Sequence, residues 1–327
     1  MKNKKIIIAG GTGFIGEEIT RYFENDNEII ILSRKIDNGV TNRNKETILS
    51  SKDAPKIKLV KWDGVHIGEW TKEIENADVI INLAGRSVNC RYNERNRNEI
   101  LNSRINATKV LGEGIKLCSK PPQLWINASS ATIYPHAETK PNDEYTIELK
   151  DDFSVQVCKQ WEKAFNDIDT PLTRKVIFRM AITLGAGGIL KPYFNLLKFG
   201  LGGKQGTGKQ MYSWIHIEDT CRVIEWVVDN ENISGVYNVS SPYPVSNKEF
   251  MKTLRAATGY RFGVPAFEWM LKIGAKMIGT ETELVLKSRW VLPTKLIKEG
   301  YQFKYAHLRS ALKDIIAKVP GKKYHLF

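Results

Sequence analysis

Residues 4–18 read KKIIIAGGTGFIGEE, and this run constrains the fold more than any other. Its apolar part, residues 6–9, predicts a buried strand, glycines follow at a spacing of three, and an amphipathic helix starts at once. Glycines let the backbone approach a pyrophosphate, and the start of the helix offers free N–H groups and a positive dipole end. A ligand-free turn is the alternative, but the strand before and the helix after favour a dinucleotide site. The expected contacts are Gly10, Thr12, Gly13, Phe14, Ile15 and Gly16.

The end of the second predicted strand indicates which dinucleotide binds. The strand EIIIL at 28–32 leads into Ser33, Arg34 and Lys35, where NAD-binding domains usually place a carboxylate against the ribose 2′-hydroxyl. A hydroxyl followed by two cations suits a 2′-phosphate instead, so the sequence favours NADP(H), with Ser33 and Arg34 as contacts. The alternative is that Arg34 and Lys35 only solvate a loop.

Length and composition limit the class of protein to which the chain can belong. The chain has 327 residues, 42% of them hydrophobic, which suffices for one large domain and a smaller one. No stretch is apolar enough to span a membrane, and the N-terminal strand is needed for the cofactor site, so we expect a cytoplasmic protein without a signal peptide or membrane partner. The four cysteines lie far apart and predict neither a disulfide framework nor a metal site.

The net charge of +13 makes nucleic acid worth considering as a partner. The basic clusters, such as Arg91–Arg97 and Lys318–Lys323, are short and carry no aromatic stacking pattern. A solvated surface is the better interpretation, and we expect no nucleic-acid partner. The oligomeric state stays open, with a homodimer as one option.

Alternating patterns predict an α/β fold, a doubly wound parallel sheet of the Rossmann type. Strands are expected at 57–62, 78–83, 124–128 and 174–180, helices at about 93–118 and 153–168, and a surface loop or insertion at 37–55. Alternation lapses after Gly185, and a strand at 235–241 and a mostly helical C-terminal third follow. We therefore expect an NADP(H)-binding domain at 1–184, joined by strand 235–241, and a substrate-side domain formed by 185–234 and 242–327.

Several blocks in order resemble the extended branch of the short-chain dehydrogenase/reductase superfamily: GGTGFIG at 10–16, NLAG at 82–85, SSATIY at 129–134, WIHIED at 214–219 and GVYNVSS at 235–241. The details resemble its atypical epimerase-family subgroup, through SRINAT at 103–108, VCKQWEKA at 157–164, GLGGKQGTGKQ at 200–210, PVSNKEF at 244–250 and VLPTKLIKEGYQF at 291–303. The resemblance covers nearly the whole chain. It implies a nicotinamide cofactor, with further contacts at Leu83, Ala84, Gly85, Glu99, Arg104 and Thr183.

The chain departs from active relatives at their catalytic Tyr-x-x-x-Lys pair. With Glu162 as the landmark that follows the lysine, Ser154 stands at the tyrosine position and Cys158 at the lysine position. A serine hydroxyl is too weak an acid to replace a phenol, and cysteine supplies no fixed cation. Lys159 is one residue along the helix and is turned away by about 100°.

Other positions of the implied site remain. Ser130 matches the serine that binds a substrate oxygen in relatives, and Arg104 replaces their helix asparagine. Glu99 could pair with Arg104, bind ribose or lie at the surface, and Arg86 stands where subgroup members often carry glutamate. This change either alters the substrate pocket or is neutral.

Two residues after the serine strand, Tyr134 and His136, are candidate replacement proton donors, so the predicted catalytic residues are Ser130 and Tyr134. His216, in an apolar stretch, is interpreted as structural, and Asp219 as a helix N-cap. Core or pocket-wall positions are expected for Trp161, Trp214, Trp226, Trp269 and Trp290.

Two function classes stay open. The first is an NADP(H)-dependent oxidoreductase or epimerase-like enzyme that acts on a small carbonyl or sugar-like molecule with a rearranged proton donor. The second is an NADP(H)-binding sensor or regulatory protein without chemistry. The ligand-covering appearance of the C-terminal third favours the enzyme.

Overall fold

A seven-stranded parallel sheet forms the centre of this computed structural model, which describes residues 1–35, 57–147, 152–278, 281 and 286–325. The predicted loop at 37–55 lies outside the described residues. The strands, in chain order, are β1 (Lys5–Ala9), β2 (Glu28–Ser33), β3 (Ile57–Lys61), β4 (Val79–Asn82), β5 (Leu124–Ser130), β6 (Arg174–Met180), β7 (Ile182–Leu184), β8 (Met211–Tyr212), β9 (Trp214–His216), β10 (Gly235–Val239) and β11 (Val245–Ser246). The sheet order is β10-β6-β5-β4-β1-β2-β3, while β7 pairs with β9 and β8 with β11.

Helices connect the strands and carry side-chain caps at several starts. They are α1 (Phe14–Phe23), α2 (Thr71–Ile74), α3 (Glu94–Lys116), α4 (Phe153–Asn166), α5 (Leu190–Lys198), α6 (Ile217–Asp229), α7 (Asn247–Ala257), α8 (Glu268–Ile278), α9 (Thr294–Lys298) and α10 (Leu308–Ala317). Asn93 caps α3, Asp152 caps α4 and Ser246 caps α7, each accepting a backbone N–H of the first turn.

The predicted N-cap at Asp219 is wrong. Helix α6 begins two residues earlier, and the His216 ring accepts the Glu218 N–H at 3.1 Å as its cap. The buried Asp219 carboxylate instead accepts the backbone N–H groups of Lys304 and Tyr305, both at 2.8 Å. Asp219 therefore ties the C-terminal segment to α6, a role that sequence position alone did not reveal.

Apolar side chains cover both faces of the sheet. Alternate residues of β1 point to opposite faces: Ile6 and Ile8 belong to one buried cluster, Ile7 and Ala9 to the other. A third cluster joins α5, α7 and α10 around Trp214. Trp161 and Trp214 are buried as expected. Trp269 is 63% exposed, which excludes the core, one of the two positions expected for it, and does not test the other, the pocket wall.

The strand order reverses beside β1, since β2 and β4 flank it and the chain crosses over between them. The register pairs Ile7 with Ile30 on one side and with Ile80 on the other. The carboxyl ends of these three strands therefore open into one crevice, the place where ligands bind in open parallel sheets.

Candidate functional site

The glycine turn between β1 and α1 is shaped for close backbone approach. Gly10 has φ +79°, and a Cβ there would lie 3.0 Å from Ala84 N, so the turn packs against the segment after β4. A Cβ at Gly16 would lie 2.5 Å from Gly11 Cα. The N-cap, Gly13, has no side chain to occupy the first-turn N–H groups of α1, which leaves them available to an anion.

Phe14 serves a second role in this turn. A Cβ at Gly185 would lie 2.7 Å from the Phe14 ring, and Gly187 and Gly188 are similarly close. The ring thus fixes the glycine-rich segment after β7 against the start of α1. This contact explains why glycines accumulate where the strict alternation of strands and helices lapses.

A cleft of about 1230 Å³ runs along the carboxyl edge from the glycine turn past β2 to the segment after β4. Eight of the predicted cofactor residues line it: Gly10, Thr12, Gly13, Ser33, Arg34, Leu83, Ala84 and Gly85. The other six, Phe14, Ile15, Gly16, Glu99, Arg104 and Thr183, are not among the described residues that line it. Thr183 lies in β7, where its hydroxyl donates to Ala181 O at 3.4 Å.

Exposed cations line the cleft at the end of β2. Ser33 is buried and its hydroxyl accepts the Lys35 N–H at 3.3 Å, while the side chains of Arg34 and Lys35 are exposed. Neither cation has a carboxylate partner among the residues that the structure describes. Two cations without a carboxylate partner in the described part of the chain give this end of the cleft an attraction for a doubly charged phosphate.

The turn after β3 also lines the cleft, which the sequence analysis missed. Asp63 accepts backbone N–H groups from Val65 at 2.8 Å and His66 at 2.9 Å, and its Oδ2 lies 2.7 Å from His66 Nδ1. These bonds lower the pKa of Asp63 to about 2 and hold the turn in shape. In the sequence, its position at the carboxyl end of the strand beside β2 could have indicated that Asp63 lines the cleft.

Arg104 packs behind the cleft. Its Nη1 donates to Arg86 O at 3.0 Å and Ile100 O at 2.8 Å, its Cζ lies 5.2 Å from the Trp161 ring centroid, and a Cβ at Gly85 would come within 3.0 Å of Cζ. Burial lowers its pKa, and no described carboxylate pairs with it. The guanidinium is thus held by backbone and aromatic groups, and its charge is not paired within the ranges that the structure describes.

Glu99 is paired elsewhere. It forms ion pairs with Arg86 and, at 2.9 Å, with Arg95 rather than with Arg104. Arg86 in turn donates to Asn96 Oδ1 at 2.8 Å. Of the alternatives for Glu99, a pair with Arg104 is therefore excluded. Arg86, in the cleft wall, is held in place by residues of α3.

A buried amide network supports the cleft floor. Asn82 donates to Asn127 Oδ1 at 2.7 Å and to Thr108 Oγ1 at 3.1 Å, and its own Oδ1 accepts Ala84 N–H at 3.1 Å. Trp161 donates to the same Thr108 hydroxyl at 2.9 Å. The network joins β4, β5, α3 and α4, and so sets where Ala84 meets the glycine turn.

Ser130 ends β5 on the same edge of the sheet, and its hydroxyl is oriented as a donor. Its Oγ accepts from Thr132 N at 3.2 Å and from Thr132 Oγ1 at 3.1 Å, so both lone pairs are used. Cys158 Sγ lies 3.4 Å from Thr132 Oγ1. No described residue accepts the Ser130 proton, which is therefore available to a substrate oxygen.

Cys158, at the position of the missing lysine, is buried. Burial raises the pKa of its thiol, so it stays neutral at physiological pH. A neutral thiol provides no charge to acidify a neighbouring hydroxyl, in agreement with the departure seen in the sequence. Ser154 lies one helical turn earlier on α4.

Tyr134 has no exposed surface, although the sequence suggested it as a proton donor. Its hydroxyl donates to Asn238 Oδ1 at 2.9 Å and accepts from Arg179 Nη1 at 2.8 Å, and burial raises its pKa. A phenol enclosed in this way cannot reach a substrate in this structure, which argues against the predicted catalytic role of Tyr134. His136, the other candidate, is held by Ser288 N at 3.1 Å.

Arg179 connects Tyr134 to Glu162. Arg179 donates to Glu162 Oε1 at 2.9 Å and Oε2 at 2.8 Å, and the Ser129 hydroxyl donates to Oε1 at 2.6 Å. Both charged side chains are about nine-tenths buried. Glu162 is therefore the structural partner of Arg179, and the pair anchors α4 to β5 and β6.

The parallel sheet, the strand order and the glycine turn define the class of NAD(P)-binding Rossmann proteins. Two family models match the chain: the NAD dependent epimerase/dehydratase family at residues 6–155 and a domain of unknown function, DUF1731, at 264–315. The epimerase family protein YfhF of Bacillus subtilis is 34% identical over 95% of this chain and 98% of its own length. SAR0825 of Staphylococcus aureus is also 34% identical, over 96% of this chain and 100% of its own length.

Comparison with solved structures indicates the same family as the sequence relatives do. The human epimerase family protein SDR39U1, solved with NADPH, superimposes with a TM-score of 0.80 at 27% identity and covers 96% of this chain and 99% of its own. A UDP-N-acetylglucosamine 4-epimerase from Methanobrevibacter ruminantium, at 17% identity and a TM-score of 0.73, covers 97% of this chain and 98% of its own and shares the fold. The chain belongs to the epimerase family proteins, an atypical group of short-chain dehydrogenase/reductase type.

This assignment confirms the resemblance and the Rossmann fold expected from the sequence. It also confirms an NAD(P)-binding fold without fixing the substrate. Within the described ranges, no helix combines the length and apolar composition that crossing a membrane requires.

Proposed function

We propose that this chain is an NADP(H)-dependent oxidoreductase or epimerase-like enzyme that acts on a small carbonyl or sugar-like substrate. The observation that carries the proposal is the orientation of the Ser130 hydroxyl, whose lone pairs are occupied by Thr132 while its proton has no described acceptor. A hydroxyl held in this way donates to a carbonyl or alkoxide oxygen as negative charge develops there.

NADP(H) is favoured over NAD(H) by the two exposed cations after β2, Arg34 and Lys35. The NADPH in the structure of human SDR39U1 supports the same preference. The cradle of Gly10, Gly13 and Gly16 fits the pyrophosphate because side chains there would collide with backbone or block the approach. When bound, the nicotinamide would supply or accept the hydride.

The residues of this chain would bind the substrate oxygen and polarise it. Ser130 would hold the substrate oxygen, Thr132 would keep Ser130 in the donor orientation, and the guanidinium of Arg104 would attract the cofactor or an anionic group beside it. We assign the glycine-rich domain, residues 1–184 with strand 235–241, to the cofactor. Residues 185–234 and 242–327 are assigned to the substrate side.

A second candidate function is an NADP(H)-binding sensor. It is favoured by the neutral Cys158 thiol at the lysine position and by the enclosure of Tyr134, which together leave no phenol and ammonium pair at the expected place. A sensor would keep the cofactor cleft and need no proton donor.

Turnover separates the two candidates. We would follow NADPH oxidation with a panel of aldehydes, ketones and quinones, using the parent, Ser130→Ala, Thr132→Val and the matched control Thr132→Ser. For an enzyme, Ser130→Ala should lower kcat by about 100-fold, Thr132→Val should lower it as well, and Thr132→Ser should stay near the parent. NADPH binding without turnover across the panel would support the sensor, and equal losses in both Thr132 variants would contradict the donor argument.

A further inference from the structure

Away from the cleft, large apolar side chains are exposed on two neighbouring segments. We call this set the aromatic patch: Phe199 (71% exposed), Phe262 (87%), Val264 (57%), Phe267 (56%) and Trp269 (63%). Several exposed apolar side chains on neighbouring segments mark an interaction site more often than a single exposed residue does. Neither the cofactor cleft nor Ser130 makes use of it.

Ordered backbone holds the aromatic patch. Val264 N donates to Gly200 O at 2.8 Å and Ala266 N donates to Lys204 O at 2.9 Å, so the segment after α5 runs beside the segment that leads into α8. A Cβ at Gly263 would lie 2.5 Å from the Gly202 carbonyl carbon, which shows how tightly the two backbones meet. The exposed side chains therefore project from backbone segments that hydrogen bonds hold together.

The sequence segments that carry the aromatic patch are almost all positive in charge. Within 198–209 and 255–276 the only acidic residue is Glu268, and it is paired with Lys272 at 2.8 Å. The same stretches carry seven cations: Lys198, Lys204, Lys209, Arg255, Arg261, Lys272 and Lys276. A twofold contact between two copies would bring these like charges together, so charge complementarity favours an anionic partner.

We propose that the aromatic patch docks this protein on an anionic phospholipid surface. Phe and Trp side chains would enter the boundary between headgroups and acyl chains, and the surrounding Lys and Arg side chains would contact lipid phosphates. Lying on a membrane in this way requires no spanning helix, so it is compatible with the finding on helix length. It departs from the sequence-based expectation of no membrane partner because the patch residues come together only in the fold.

The test is co-sedimentation of the full chain with vesicles of phosphatidylcholine alone and of equal parts phosphatidylcholine and phosphatidylglycerol. The expected result is binding to the anionic vesicles that weakens at high salt. Phe262→Ser and Trp269→Ser should each weaken it by about tenfold, and Lys204→Glu with Arg261→Glu should abolish the preference for anionic lipid. Leu172→Ser, which changes a residue 75% exposed in the turn before β6, is the matched control and should bind like the parent.

NADPH binding by every variant serves as the check that the chain is folded. No binding to either vesicle by the parent would overturn the proposal, as would equal losses in the patch variants and Leu172→Ser. If the parent is instead a dimer in solution that Phe262→Ser converts to a monomer, the aromatic patch is a contact between copies and the lipid proposal is wrong. Loss of turnover without loss of vesicle binding would affect only the proposed function.

Discussion

Replacing Glu162 by glutamine removes one charge from the pair that anchors α4 to the sheet. Glu162 and Arg179 are 10% and 11% exposed, and two hydrogen bonds of 2.9 and 2.8 Å join them. Glutamine keeps the size and one acceptor, so the main change is that the Arg179 charge loses its counterion. Removing one partner of a buried pair costs about 3–5 kcal/mol, and the retained acceptor places Glu162→Gln at the lower end of that range.

The neighbouring residue provides the control. Lys163 pairs with Asp167 at 2.6 Å on the same helix, but these side chains are 72% and 58% exposed, so Lys163→Gln should cost less than about 1 kcal/mol. Urea unfolding followed by circular dichroism gives both free energies. If Glu162→Gln were as stable as Lys163→Gln, the Glu162–Arg179 pair would not stabilise the fold and the structural assignment of Glu162 would be wrong.

Three further predictions concern the cleft and the C-terminal contacts. Arg104→Ala should weaken NADPH binding by about 1.5–3 kcal/mol if the guanidinium makes a charge-assisted bond to the cofactor; unchanged affinity in a fluorescence titration would exclude that contact. Ser154→Ala and Cys158→Ala should leave NADPH binding and any turnover within a few-fold of the parent, and a large loss would refute the alignment on Glu162. Burial lowers the pKa of His216 from 6.5 to about 4 in the folded chain. Between these two pH values the unfolded chain binds more protons than the folded chain does. The free energy of unfolding should therefore fall by about 3 kcal/mol as the pH drops from 6.5 to 4. His216→Asn, which keeps a capping acceptor, should flatten this dependence in urea unfolding at several pH values, and an unchanged slope would place its origin elsewhere.

Local patterns were sufficient to predict the sheet and its cofactor edge. The strand expected at 174–180 is Arg174–Met180, and the helix expected at 93–118 is Glu94–Lys116. A buried parallel strand and an amphipathic helix each have a strong period, and the glycine spacing follows from the turn between them. For the same reason the residues of the glycine turn and of the end of β2 could be assigned to one cleft before the structure was known.

Contacts between residues far apart in the chain explain where the structure differs from the sequence-based predictions. Tyr134 follows Ser130 closely in sequence, but its side chain turns into the interior because Asn238 and Arg179, far away in the chain, satisfy its hydroxyl. Asp219 looks like a helix cap until the C-terminal backbone supplies its donors. Trp269 is exposed because α8 presents it outward, which the residue type does not encode. Neighbours brought together by tertiary packing cannot be read from local spacing.

We propose that the cations at the end of β2 give the cleft its preference for NADP(H). The most direct measurement is a fluorescence titration of the parent and Arg34→Ala with NADPH and with NADH, with Arg21→Ala as a control that changes a cleft arginine already paired with Glu17. We expect the parent to bind NADPH more tightly than NADH. Arg34→Ala should lose about 1.5–3 kcal/mol of binding free energy for NADPH and little for NADH, and Arg21→Ala should keep the preference. Equal affinities in the parent, or a preference that Arg34→Ala leaves unchanged, would contradict this proposal.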